Sequence, residues 1–313
     1  MTTGVYRRKR RGAILVGASV DGPRHNPLGP PQGNIICMVT PRNHNLRLDP
    51  GALHSELWQT IRGITERVSL ALHALDRAPK NLPAGLPDVF VHHGILRPDE
   101  PIQEDRFGTV RGTTRTWIIG CGLRDAIEAM HHMLDRARQL CAVGALGRDA
   151  PWDRIPAERF LEEMQAPRVW RRAGLPDRMK FLRKRYDVHA ELEPDVLSIN
   201  KVRGCLVHRL GVVDRQDCNR PGGLHVTWRR MQPFAGSGDA RSPVDAGAIV
   251  APGTPITIVQ WDKTERTFHL GMPVELSATD FSQMSWTCVG YAMHLGWAIA
   301  AHLRKSGMPV AET

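Results

Sequence analysis

The stretch Asp195-Val-Leu-Ser-Ile-Asn-Lys-Val-Arg-Gly-Cys-Leu-Val-His-Arg-Leu-Gly-Val-Val213 places Val196, Ile199, Val202, Leu206 and Leu210 three or four residues apart. That is the period of one helix face, and Gly211 behind it is a stop signal. Near the helix end stand Arg203 and His208, five residues apart. Arginine is a permanent, fork-shaped cation suited to phosphate. Histidine gives or takes a proton near neutral pH. At about 3.6 residues per turn the two lie roughly 140° apart on an ideal helix. They share a face only if the helix end distorts, which Gly204 eases.

Helical periodicity extends outward from this segment. Leu53, Leu57, Ile61, Ile64, Val68 and Leu72 form a stripe opened by Asp49-Pro50 and closed by Pro79. A second long helix is predicted over about Thr113–Val143, with Trp117, Ile127, Met130, Leu134 and Cys141 among its apolar positions. A short helix near Pro156–Met164 follows. Leu175–Tyr186 carries a core stripe of Leu175, Met179, Leu182 and Tyr186, and a final helix spans about Thr279–Lys305. Before that last helix, Leu224–Trp228, Thr254–Trp261 and Arg266–Leu270 read as short strands, the last two forming a hairpin through Asp262–Glu265. Ile35–Val39 reads as one more strand. The fold class is therefore mainly α. Residues 1–50 read as a basic, largely disordered arm, 51–306 as a helical domain with a β insertion at about 222–276, and 307–313 as a tail.

The 313 residues carry a formal net charge of +10, which favours polyanionic partners. Arg7–Arg11 are all basic, and Arg168–Arg185 holds eight basic residues against one acid, Asp177. Arg178, Lys180, Arg183, Lys184 and Arg185 fall mainly away from the core stripe and are the candidate RNA-binding residues. Six scattered cysteines without a Cys-x-x-Cys fit reduced thiols in a cytoplasmic protein, and no apolar run is long enough to span a bilayer. Neither a metal nor a cofactor is expected. Glu128 and His131 are spaced as in di-iron bundles, but the chain has no second Glu-x-x-His. His92-His93 beside Gly94 read as surface residues, and Trp170, next to Arg171-Arg172, reads as a base-stacking candidate.

The segment around Arg203 and His208, with Leu206–Gly211 behind it, a preceding helix, and a β excursion before a closing helix, resembles bacterial HEPN-domain proteins over about residues 175–305. The resemblance implies an α-helical bundle, a homodimer, and metal-independent endoribonuclease activity of the kind found in toxin–antitoxin and phage-defence systems, with an antitoxin or defence partner. It implies that Arg203 and His208 are catalytic, that two copies build one site across a twofold axis, and that the products are a 2′,3′-cyclic phosphate and a 5′-hydroxyl. The position after the family's arginine is usually polar, often asparagine; here it is Gly204. The alternatives are a non-catalytic HEPN-like module binding a partner protein or nucleic acid, and an Arg and His that merely cap a helix C-terminus.

Overall fold

The computed structural model describes residues 48–78, 104–149, 154–237, 241–244 and 250–311. The strand expected at Ile35–Val39, the basic arm as far as residue 47 and His92-His93 lie outside them. The elements in chain order are α1 (Gly51–Arg77), α2 (Glu104–Asp149), α3 (Ala157–Met164), α4 (Arg168–Arg171), α5 (Leu175–Tyr186), α6 (Glu193–His208), β1 (Gly223–Ala235), β2 (Ser242–Pro243), β3 (Ile256–His269) and α7 (Ala278–Lys305). The described chain is mainly helical, as expected.

All six residues of the α1 stripe are buried, against α2 and α7. α2 is the central element and touches α1, α3, α5, α6 and α7. Several neighbours require several apolar faces. Accordingly the stripe Leu123, Ile127, Met130, Leu134, Ala137 and Cys141 is buried, and so are Ala129, Leu140, Ala142 and Val143, which fall on other sides of the helix. The helix extends beyond the expected Thr113–Val143 at both ends. Trp117, expected in the core, is 69% exposed.

The β insertion differs from its expected pairing. β3 is continuous through Asp262–Glu265, with no hairpin there, and pairs antiparallel with β1 from Gly223↔His269 to Ala235↔Ile256. The charged run Asp262-Lys263-Thr264-Glu265-Arg266 has the composition of a turn, but it lies along one side of a two-stranded ribbon with most of its residues in water. Leu224, Val226 and Trp228 alternate inward on β1 and are fully buried. On the other side of the strand, Thr227 and Arg229 turn to α6: Thr227 Oγ1 donates to Asp195 Oδ1 at 2.8 Å and Arg229 Nε donates to Asp195 Oδ2 at 2.7 Å. The amide of Thr227 donates to Ser198 Oγ at 2.8 Å. These bonds fix the start of α6 to the sheet.

α7 opens with a capping box in which Ser277 and Asp280 each accept the other's backbone N–H. The ends of the bundle meet. Leu48 forms a parallel bridge to Val310, and Met308 is buried against Gly147, so residues 308–310 of the tail pack on the bundle.

Candidate functional site

The signature helix is amphipathic for most of its length: Val196, Ile199, Val202, Cys205 and Leu206 are buried. Its last turn crosses α2 closely enough that a Cβ added at Gly120 would lie 3.3 Å from Leu206 Cβ. The helix stops at His208, two residues before the end of the expected stripe. Leu210 has φ +53° and is 90% exposed, so it is not a core residue. Gly211, at φ +78°, returns its N–H to the Cys205 carbonyl at 3.2 Å, the kind of left-handed stop that favours glycine. Arg209 pairs with buried Asp217 at 2.9 Å, holding the following turn. Burial pushes the Cys205 thiol up to about 12, and the nearby Asp217 carboxylate adds to that effect. The cysteine inside the signature is thus protonated and inert at neutral pH.

Arg203 is half-buried with its Nε enclosed and without an acceptor, whereas His208 is exposed. No hydrogen bond or ion pair joins the two among the described residues. Arg203's charge is one of several that act on His131, on α2. Burial is the main cause holding His131 below its ordinary value, followed by the charge of Arg178, with Arg203 adding to it. Arg178 also donates to the His131 carbonyl at 3.1 Å. Nothing in the spacing of Arg203 and His208 pointed to this neighbour, because it comes from the crossing of α2 and α6. Glu128 lies 3.7 Å from His132, on the exposed side of α2. Among the described residues no group of three His, Cys, Asp or Glu is placed to hold a metal ion.

The basic cluster is less free than its composition suggested. Arg178 is mostly buried, pairs with Asp135 at 3.0 Å, and lies over the Trp170 ring at 5.2 Å. Arg183 is ion-paired to Glu193, and Arg185 to Glu163 at 3.5 Å. Lys180 and Lys184 are exposed and form no ion pair among the described residues. Trp170 offers no face to a base: it is 1% exposed and its indole N–H donates to Asp135 at 2.5 Å. Exposed cations without ion pairs among the described residues continue onto Arg168, Arg171 and Arg172.

Comparison of the chain with protein-family models, curated proteins and solved structures gives no match. No described helix is long and apolar enough to cross a membrane.

Proposed function

We propose that this protein is a metal-independent endoribonuclease of HEPN type, acting as a homodimer whose site takes Arg203 and His208 from both copies. The observation that carries the reading is Arg203, a guanidinium with no carboxylate partner among the described residues and an enclosed Nε that lacks an acceptor. A phosphate on its terminal nitrogens would supply the missing countercharge. The lack of a bond between Arg203 and His208 within one chain, among the described residues, favours a shared site over a self-contained one. Beside His208, the paired segments around residues 209–213 and 270–274 expose Leu210, Val212, Leu270 and Met272, an apolar surface a second copy would cover.

In the proposed reaction one His208 takes the proton of the ribose 2′-hydroxyl. Its oxygen bonds to the adjacent phosphorus, the bond to the 5′-oxygen breaks, and the second His208 protonates that leaving oxygen. Arg203 offsets the negative charge gathering on the phosphorus oxygens. DNA lacks the attacking hydroxyl.

The test is cleavage of single-stranded RNA in excess EDTA. Arg203→Ala and His208→Ala are each expected to lower the rate by roughly 10²–10⁴-fold, the range of acid–base contributions, with cyclic phosphate ends in the product and no cutting of an all-deoxy strand. In binding, Lys180→Gln with Lys184→Gln flattens the salt dependence more than Arg183→Gln with Arg185→Gln, whose charges are already paired. Wild-type protein that cuts no RNA, or mutants that cut as well as wild type, overturns the enzyme reading. The second reading, a non-catalytic RNA-binding module, then stands. Gly204 favours it by omitting a polar side chain next to Arg203.

A further inference from the structure

Where α2, α4 and α5 meet the end of α3 there is a cavity of about 390 Å³, within the usual range of roughly 300–1,000 Å³ for ligand pockets. Arg138, Arg171 and Arg178 line it, with Asp135, Gln139 and Met164. Arg138 is 3% exposed. Its terminal nitrogens donate to the carbonyls of Glu163 at 3.0 Å and Met164 at 2.6 Å, while its Nε is enclosed without an acceptor. No carboxylate pairs with it among the described residues. A buried guanidinium held only by neutral carbonyls lacks a countercharge, which is costly in a low-dielectric interior. The cavity's single carboxylate, Asp135, is already engaged by the Trp170 indole at 2.5 Å and Arg178 at 3.0 Å. Arg171 stands exposed, without an ion pair among the described residues.

We infer that this cavity is a binding site for a phosphate group, arriving either as free phosphate or as a monoester on a small organic molecule. Three guanidiniums against one carboxylate leave an excess of two positive charges, which a phosphate monoester of about −1.5 to −2 matches. A phosphodiester, singly charged, leaves one cation unmet. Guanidinium forks suit phosphate oxygens geometrically, and Arg178 is held in place by its seat on the Trp170 ring at 5.2 Å. Gln139 offers an amide donor, and Met164 an apolar wall for an organic carrier. Neither Arg203 nor His208 lines the cavity, so a binding test of it does not depend on RNA cleavage.

Isothermal titration of the full chain at low salt and neutral pH, with inorganic phosphate and adenosine 5′-monophosphate as separate probes, tests it. Saturable one-site binding of at least one probe is expected. Arg171→Gln, at an exposed position that leaves the core untouched, weakens it roughly tenfold or more, the size of a lost charge-assisted hydrogen bond. Arg138→Met abolishes binding, with circular dichroism confirming that the helices remain. Tighter binding of the nucleotide assigns the site to an organic phosphate, and equal affinity assigns it to the free anion. No saturable binding of either probe at millimolar concentration, or an Arg171→Gln protein that binds like wild type, overturns the inference.

Discussion

Two glycines inside helices have opposite surroundings, and Gly→Ala substitution at each separates packing from propensity. At Gly122, on α2, an added Cβ would lie 2.6 Å from Val68 Cγ2 and 2.8 Å from two ring carbons of Phe281. Val68 belongs to α1 and Phe281 to α7, and both are buried, so neither has solvent to retreat into. Alanine improves helix propensity by about 1 kcal/mol. Overpacking costs about 1–3 kcal/mol, and three contacts this short place Gly122→Ala at the upper end, for a net loss of about 2 kcal/mol. At Gly204, an added Cβ meets nothing within 4 Å. There the propensity term acts alone, for a gain of about 0.5–1 kcal/mol. Urea denaturation followed by circular dichroism should show the two midpoints moving in opposite directions, with a gap of roughly 2.5–3 kcal/mol between variants. A Gly122→Ala protein at least as stable as wild type, or a destabilised Gly204→Ala, refutes the reasoning. The same open space admits Gly204→Asn, which is expected to raise RNA cleavage if the absent amide limits it.

Burial holds His54, His131 and His302 below the usual histidine value of 6.5, so the unfolded chain takes up their protons first. Stability from these groups is therefore present above about pH 6.5 and lost as pH falls from there towards the lowered values; a urea midpoint unchanged between pH 7 and 5 contradicts this. Asp195 is 3% exposed and bonds both Arg229 and Thr227. Asp195→Ala is expected to cost about 3 kcal/mol, the low end for breaking a buried pair because Arg229 is partly exposed; a thermal midpoint within a degree of wild type excludes that role.

Elements that present one face to one neighbour were legible in the sequence. The stripes of α1 and α5 gave their buried residues correctly, and α7 was placed to within a residue at its start. α2 was harder to delimit because a helix packed on several sides spreads its apolar residues around its circumference, which blurs the period. The hairpin expected at Asp262–Glu265 misread the solvent side of a ribbon as a turn. At the candidate site, Arg203 and His208 could be picked out by type and spacing. Their surroundings could not, because His131, Asp135 and Glu163 come from other helices. The ion pairs of Arg178, Arg183 and Arg185 are likewise tertiary, and a run of basic residues carries no sign of which ones will find a carboxylate. Leu210 kept the helical spacing but lay beyond the left-handed stop, where the period no longer describes the backbone.

The contacts of α7 also bear on how the chain is made. α1 and α2 emerge from the ribosome early, yet both pack against α7, and roughly 200 residues separate Arg77 from Ala278. At about 5–20 residues per second, synthesis of that interval takes roughly 10–40 s. Throughout it, part of Leu53–Leu72 lacks its final cover, and once α2 has been made part of its core does too. Over that interval the nascent chain therefore carries apolar surface that its own fold has yet to cover, the kind of surface that ribosome-associated chaperones bind.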